Sequence, residues 1–185
     1  MPRGPLLAPA DLSPDQRALY DEIRSGRRAS AERPAGPVDA GGRLTGPFNA
    51  MLHSPAVGGP LQRLGVALRY ASSLPDVARE LVILAVAAHH DCDYERVAHR
   101  QIAARLGVDD AAFAAIEAGE SPAGYPDAAV ALELARAILR HELPDGRTVE
   151  LLRCSLGDAG IFEISTLVGY YSTLAVQLAL FDVRP

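Results

Sequence analysis

Residues 74–107 of this 185-residue chain, LPDVARELVILAVAAHHDCDYERVAHRQIAARLG, decide its fold. The first half carries the start signals of a helix: Ser73 is a suitable N-cap, Pro75 suits the first turn, and Asp76 favours the positive end of the helix dipole. Residues 77–88 are almost all apolar, which is typical of a helix buried on every side. A buried strand within this run is the alternative, but the start signals and the length of the run favour a helix.

The second half predicts another helix, separated from the first by a short turn. Asp91 is a good N-cap for it, and Gly107 is a natural stop. Because a short turn reverses the chain, we expect residues 74–88 and 94–106 to pack as an antiparallel pair. No segment of the chain shows the alternation typical of a strand, so the sequence predicts an all-α fold built around this pair.

This stretch contains six side chains that can transfer protons or bind a metal, Glu80, His89, His90, Cys92, Glu95 and His99, and all except the two neighbouring histidines are site candidates. Cys92, Glu95 and His99 are spaced i, i+3 and i+7, so they form one stripe along a helix face. At about 1.5 Å per residue, Glu80 lies as far back from the turn as His99 lies beyond it, to within a helical turn. The spacing therefore predicts a carboxylate facing an imidazole, a pairing suited to proton transfer.

These residues carry a resemblance to a known family. The pattern R-E-L-x-I-L-x-V-A, followed by C-x-x-E-x-x-x-H and A-x-x-L-G-V, resembles the carboxymuconolactone decarboxylase family, which includes the alkylhydroperoxidase D enzymes. The segments GPFNAMLHSP at 46–55 and GYYSTLAVQLALF at 169–181 are similar to the longer single-domain members. The resemblance implies an alkylhydroperoxidase D-like helical bundle at 44–185, preceded by an N-terminal helix and a Gly/Pro-rich arm at 1–43.

The resemblance also implies roles for the four residues. In alkylhydroperoxidase D the stripe is C-x-x-C-x-x-x-H, preceded by a glutamate, and it works as a thiol relay. Cys92, His99 and Glu80 match three of those positions, whereas Glu95 stands where the second, peroxide-attacking cysteine would be. The decarboxylases of the family lack the cysteine pair and use acid–base chemistry. The leading hypothesis is therefore a decarboxylase-like enzyme acting on a small carboxylate- or lactone-like substrate, with all four residues catalytic.

Two other functions stay open at this point. One is a thiol-dependent hydroperoxide reductase in which Cys92 attacks the peroxide and Cys154 or an external thiol resolves it. The other is a non-catalytic helical oligomer that binds a small ligand. His53, Tyr170 and Tyr171 are further candidates for a pocket lining, although single aromatic residues are more often part of a core.

Each candidate also has a purely structural interpretation. Glu80 would then be a core carboxylate neutralised by Arg79. Glu95 and His99 would be a simple i, i+4 pair, and Cys92 would be an inert buried thiol. The four candidates include enough ligand types for a zinc ion, but their spacing matches no zinc signature. We therefore expect no metal and no other cofactor.

Composition limits the partners and the compartment. The net charge is −5 and no stripe of basic residues occurs, which argues against nucleic acid and anionic membranes as partners. The sequence shows no signal peptide, and its two cysteines lie in unlike contexts, so we expect a cytoplasmic protein. The apolar segment 162–181 approaches the length of a membrane span, but Glu163 and Gln177 favour a buried or subunit-interface helix. A homo-oligomer and a small-molecule substrate are therefore the expected partners.

Helices are also predicted along the rest of the chain. Ser13 and Gln16 form a capping-box pattern at the start of a helix over 13–26, and residues 27–46 should be an extended surface connection. A helix opening at Ser54 should be interrupted near 58–60, where two glycines precede a proline. Further helices are predicted after the N-cap Asp109 and over 126–142, 148–156 and 162–181.

Overall fold

A computed structural model describes residues 6–26 and 38–185 of the chain. This part of the chain forms helices and one isolated β-bridge between Val38 and Leu44, which confirms the predicted all-α fold. A 3-10 turn, Pro9–Asp11, precedes the first α-helix. The α-helices are α1 (Pro14–Ser25), α2 (Pro47–Met51), α3 (Pro55–Tyr70), α4 (Asp76–His89), α5 (Asp93–Arg105), α6 (Asp110–Glu117), α7 (Pro126–Leu139) and α8 (Gly146–Leu180).

The chain divides into two compact units. One unit comprises residues 1–71 and 177–185, as far as they are described, and the other comprises residues 72–176. The second unit contains the sequence stretch quoted first. The domain division at residue 43 stays a prediction, and much of the surface connection expected at 27–46 lies outside the described residues.

The first helix begins as its sequence predicts. The Ser13 side chain accepts a hydrogen bond from the backbone of Gln16 at 3.4 Å, and the Gln16 side chain accepts one from the backbone of Ser13 at 2.9 Å. This reciprocal pair is a capping box, which satisfies two backbone donors at the start of α1. The helix then buries Leu19, Tyr20 and Ile23.

The predicted interruption of α3 is wrong, because the helix runs unbroken from Pro55 to Tyr70. Pro60 removes one backbone donor but is accommodated within the helix. Gly58 serves close packing instead of a break, since a Cβ atom there would lie 2.3 Å from the carbonyl oxygen of Met51. The two glycines and the proline resemble a helix breaker in sequence, yet Gly58 is needed where α2 meets α3.

The fourth helix is the centre of its unit. It packs against α5, α6 and α7, and every residue from 78 to 87 is buried. This confirms the prediction of a helix that is buried on all sides. Its N-cap is Pro75 and not Ser73, because the backbone and hydroxyl of Ser73 donate to the Glu163 carboxylate at 2.8–3.0 Å.

The turn between α4 and α5 corrects the predicted role of Asp91. The backbone N–H of Cys92 donates to Ala87 at 2.9 Å, and that of Asp91 donates to Ala88 at 3.2 Å. These two bonds form a Schellman motif, and Asp91 occupies its left-handed position with φ 49°. Short polar residues tolerate that conformation. Asp91 therefore ends α4, and Cys92 is the N-cap of α5.

The end of α5 and the start of α6 agree with the sequence prediction. Gly107 has φ 89°, as expected for a glycine that stops a helix. Two residues later the Asp109 side chain accepts a hydrogen bond from the backbone of Ala112 at 2.8 Å, which caps α6. Both features depend on residues within one turn of each other.

The last two predicted helices form one element, α8, with a single break at Gly157. Gly157 has φ 67° and ψ 171°, a conformation that glycine adopts readily. Residues 158–161, expected to lie between two helices, are helical. Arg153 lies 2.7 Å from Glu150 and 2.6 Å from Asp158, so it bridges the break. No described helix combines the length and the apolar character of a membrane span.

Replacing Gly58 by alanine is expected to lower the free energy of unfolding by about 1–3 kcal/mol, because the added methyl group would overlap the Met51 carbonyl. Gly169 is the matched control, since it is exposed and helical and an added Cβ there meets nothing within 4 Å. Alanine at 169 should raise the free energy of unfolding by about 0.5–1 kcal/mol. Urea denaturation monitored by circular dichroism measures both changes. A Gly58→Ala protein as stable as the wild type would contradict this packing.

Candidate functional site

The imidazole of His99 lies between two carboxylates. Its Nδ1 atom is 2.5 Å from Oε2 of Glu80, and its Nε2 atom is 3.2 Å from Oε2 of Glu95. The relative exposures are 0% for Glu80, 1% for His99 and 3% for Glu95, so all three groups are removed from water. The structure thus brings together three of the four residues that the sequence singles out.

Two neighbouring helices supply these side chains. Glu80 lies in the middle of α4, while Glu95 and His99 lie one turn apart on α5 and face the same direction. The contact between Glu80 and His99 joins positions at comparable distances from the turn, as an antiparallel pair requires. The predicted pairing of a carboxylate with an imidazole at the same height is therefore present.

Two protonation patterns satisfy the contacts of His99. A doubly protonated ring donates one N–H to each carboxylate. A neutral ring keeps its proton on Nδ1 for Glu80, and a protonated Glu95 then donates to Nε2. The two patterns differ in the position of one proton, which is bound either to Nε2 of His99 or to the Glu95 carboxylate 3.2 Å away. The site can therefore transfer a proton without moving a side chain.

The surroundings of His99 favour its charged form. Burial lowers the pKa of His99, but the charge and hydrogen bond of Glu80, together with those of Glu95, raise it by more. The pKa of His99 consequently lies above its usual value. An imidazolium between two carboxylates leaves one negative charge in the interior, which requires a further cation nearby.

Arg79 is a cation beside Glu80. Its Nε atom lies 3.8 Å from Oε1 of Glu80, and its terminal NH2 nitrogen lies 2.7 Å from Oδ1 of Asp76. Arg79 is 7% exposed, whereas 63% of the Asp76 side chain is exposed. Both Arg79 and the imidazolium form of His99 therefore stabilise the negative charge of Glu80. The structural interpretation expected Arg79 to neutralise Glu80, and that contact is present. Glu80 also contacts the imidazole of His99.

Cys92 lies at the start of α5, as its N-cap, and is 8% exposed. Burial raises the pKa of its thiol, the backbone N–H groups of Glu95 and Tyr94 lower it, and the negative charge of Glu95 raises it further. The net effect is a pKa above the usual value, so the neutral thiol is favoured. Cys154, the other cysteine of the sequence, is free and exposed.

An aromatic ring from α8 covers another side of the imidazole. The rings of Tyr171 and His99 are perpendicular, with centroids 5.1 Å apart, and Tyr170 makes a similar contact with Tyr171. The sequence offers Tyr171 only as one of several candidate pocket residues. No local pattern places it beside His99, because residues on different helices meet only through tertiary packing. His53 stacks on Phe181 at 5.1 Å.

Residues 6–26 and 38–185 contain no group of three or more His, Cys, Asp and Glu side chains arranged to hold a metal ion. Both ring nitrogens of His99 face carboxylates, so binding of a metal by the imidazole would require one of these contacts to break. The geometry of the cluster is suited to moving a proton between oxygen and nitrogen.

Comparison with known proteins relates the chain to one family and one fold. The model of the carboxymuconolactone decarboxylase family matches residues 55–137. No curated protein sequence matches the chain. A similar solved structure is the alkylhydroperoxidase AhpD core, an uncharacterized peroxidase-related protein from Ralstonia eutropha. It has a TM-score of 0.74 and 20% identity, and the alignment covers 100% of this chain and 92% of that one.

Two further structures share this fold. An uncharacterized peroxidase-related protein from Silicibacter sp. has a TM-score of 0.64 and 18% identity, with 74% of each chain covered. A cysteine-to-alanine variant of the debrominase Bmp8, solved in complex with 2,3,4-tribromopyrrole, has a TM-score of 0.70 and 14% identity, with 100% of this chain and 93% of that one covered. At these identities the likeness shows the fold alone, which confirms the predicted alkylhydroperoxidase D-like architecture.

We expect iodoacetamide to alkylate Cys92 much more slowly than Cys154, because Cys92 is buried and held as a neutral thiol. Glu95→Gln should speed alkylation of Cys92 about three- to tenfold at about pH 8, since it removes a negative charge beside the sulfur. Glu117→Gln, which alters an exposed carboxylate on α6, should leave the rate unchanged. Peptide mass spectrometry follows each cysteine separately. Preferential labelling of Cys92 in the wild type would contradict the neutral-thiol assignment.

Proposed function

We propose that the chain, whose residues 55–137 match the model of the carboxymuconolactone decarboxylase family, is an acid–base enzyme acting on a small carboxylate- or lactone-like substrate. Decarboxylation is the reaction we assign to it. The observation that carries this proposal is the position of His99, whose ring nitrogens face Glu80 on one side and Glu95 on the other. A histidine held in this way is suited to general acid–base catalysis.

In this proposal Glu95 exchanges protons with the substrate. Glu80 is fully enclosed in the middle of α4, whereas Glu95 lies in the first turn of α5, next to the turn that contains Cys92. His99 stands between the two carboxylates and replaces the proton that Glu95 gives away. Glu80 keeps the imidazole oriented and stabilises its positive charge, as a buried carboxylate does for a catalytic histidine.

The proposed reaction needs one proton from the protein. The bond between the substrate's carboxylate carbon and the neighbouring carbon breaks, carbon dioxide leaves, and the electron pair passes into an enolate of the lactone. Glu95 in its protonated form then transfers a proton to carbon. His99 reprotonates Glu95 across the gap of 3.2 Å and later regains a proton from water. No electrons are exchanged with an external donor.

The second candidate function is thiol-dependent reduction of a hydroperoxide at Cys92. One observation favours it: the thiol lies at the start of α5, where the backbone N–H groups of Glu95 and Tyr94 lower its pKa. The net pKa is nevertheless raised, and a carboxylate occupies the position of a second sulfur. Resolution of an oxidised Cys92 would then fall to the exposed Cys154 or to an external thiol.

We also propose that the protein self-associates. Several large apolar side chains on α8 are exposed, among them Leu151 at 62% and Phe162 at 70%. Apolar side chains of this size on one helix are typical of a surface that a second copy covers. This proposal is independent of catalysis and also holds for a non-catalytic helical oligomer that binds a ligand.

Substitutions within the cluster should separate acid–base catalysis from thiol chemistry. Glu80→Gln, Glu95→Gln and His99→Ala should each lower the rate of carbon dioxide release from carboxymuconolactone about 10²- to 10⁴-fold, because each breaks the proton path. Cys92→Ser should retain most of the rate. Glu117→Gln is the control for the loss of a carboxylate, and circular dichroism confirms that each variant is folded.

Peroxide consumption is a second test that separates acid–base catalysis from thiol chemistry. With dithiothreitol as the electron donor, the wild type should consume hydrogen peroxide at a rate close to that of Cys92→Ser, because the neutral thiol attacks peroxide slowly. Rapid consumption that Cys92→Ser abolishes would overturn the acid–base proposal and establish the thiol reaction.

Sedimentation velocity tests self-association. At micromolar concentration the wild type should sediment as a dimer or larger species. Leu151→Glu together with Phe162→Glu should shift it toward the monomer, because both changes place charge in an apolar contact. Both side chains are mostly exposed, so neither change is expected to unfold the chain. A wild type that sediments as a single monomeric species would refute the proposed interface.

A further inference from the structure

Glu80 receives a different cation at each carboxylate oxygen. Oε2 contacts Nδ1 of His99 at 2.5 Å, and Oε1 lies 3.8 Å from Nε of Arg79. The second distance is too long for a hydrogen bond, so Arg79 acts on Glu80 mainly through its charge. A carboxylate with no exposure to water depends on such neighbours to stay ionised.

The guanidinium of Arg79 is fixed from the other side. Asp76 lies one turn earlier on α4 and holds the terminal nitrogen of Arg79 at 2.7 Å. Its carboxylate is exposed, whereas the Arg79 side chain is almost fully buried. The groups therefore alternate in charge from the surface inward, from Asp76 through Arg79 and Glu80 to His99 and Glu95.

We propose that Arg79 is a positioning residue that sets the proton affinity of the Glu80–His99–Glu95 cluster. Held by Asp76, the guanidinium keeps Glu80 a carboxylate and lowers the pH at which the cluster releases its proton. This inference deepens the proposed acid–base function and rests on it for its catalytic meaning. The electrostatic effect itself requires no substrate.

The direction of the effect follows from charge alone. Without Arg79, the buried cluster would lose a positive charge beside Glu80 and would bind its proton more tightly. With Arg79 present, the carboxylate form of Glu80 is stabilised, and the proton leaves at a lower pH. The cation therefore lowers the proton affinity of the cluster and makes it a more effective proton donor.

Several titratable and charged groups surround the cluster. Those that contact His99, or contact one of its neighbours, include Asp76, Arg79 and Glu80 on α4, Cys92 and Glu95 at the start of α5, and Tyr171 on α8. Arg79 carries a permanent positive charge, so its removal changes the charge beside Glu80 directly.

Nuclear magnetic resonance of histidine-labelled protein tests the proposal without substrate. The His99 signal is assigned by its loss in His99→Gln, and its titration midpoint is compared between the wild type and three variants. Arg79→Gln should raise the midpoint by about one pH unit or more. Arg79→Lys retains the charge and should stay within about 0.3 unit of the wild type. Asp76→Asn breaks the same ion pair but removes a negative charge, so the midpoint should stay or fall.

The different directions expected for the midpoint in Arg79→Gln and in Asp76→Asn distinguish an electrostatic role of Arg79 from a structural one. If Arg79 merely supported the fold, breaking its pair from either side would change the midpoint in the same direction. An unchanged or lowered midpoint in Arg79→Gln, or an equal rise in Asp76→Asn, would overturn the proposal. Should Arg79→Gln not fold, Asp76→Asn and Arg79→Lys decide: a rise in either beyond about 0.3 unit contradicts it.

The same variants separate this inference from the proposed function. If carboxymuconolactone is not decarboxylated but the midpoint shifts as expected, the role of Arg79 stands and the assigned reaction fails. If decarboxylation occurs and the midpoint does not move, the reaction stands and Arg79 has no electrostatic role. Where both hold, the pH at which the rate falls in Arg79→Gln should move upward with the midpoint.

Discussion

A buried imidazole held by two buried carboxylates depends on charge balance. Each carboxylate loses the stabilisation of water and regains it only from a cation or a hydrogen-bond donor. His99 serves both Glu80 and Glu95, and Arg79 adds a positive charge beside Glu80. Removal of any one member changes the charge that the others experience. The cluster therefore acts as a unit, and its acid–base behaviour belongs to all four groups together.

The central position of α4 excludes solvent from the cluster. The helix is covered by α5, α6 and α7, so a polar residue in its middle cannot reach solvent. The Schellman turn at Asp91 then sets where α5 starts and how it is rotated. A different turn length would rotate His99 away from Glu80, because each residue added to a helix turns its face by about 100°. The short turn thus determines which side chains meet at the buried imidazole as well as the topology.

The features predicted correctly from sequence are mostly local ones. The capping box at Ser13, the cap at Asp109 and the stop at Gly107 each depend on residues within one turn. The same holds for the i, i+4 spacing of Glu95 and His99. The antiparallel pairing of two strongly apolar and capped helices adds the contact with Glu80, since a short turn leaves few alternatives.

Apart from the role of Asp91, which a local turn decides, the sequence-based predictions failed where tertiary contacts overrode local signals. Ser73 is a good cap by type, yet it binds Glu163 on a distant helix. Gly58 resembles a helix breaker, yet it permits a close backbone approach inside a continuous helix. Tyr171 contacts His99 through the packing of α8, which no local sequence pattern predicts. Local patterns specify where helices form, whereas these contacts depend on which helices meet.

The identity of residue 95 decides what the proposed site can do. A sulfur there would lie near Cys92 and allow a disulfide, which carries two electrons between substrate and reductant. A carboxylate cannot carry electrons, but in the proposed reaction it can give a proton to the substrate and take one back from His99. The same negative charge raises the pKa of the Cys92 thiol and so opposes thiolate chemistry at the neighbouring position. One side chain thus strengthens the proton path and weakens the thiol path. Within an unchanged helical framework, the proposed reaction depends on this carboxylate and on the positive charges of His99 and Arg79 that stabilise Glu80.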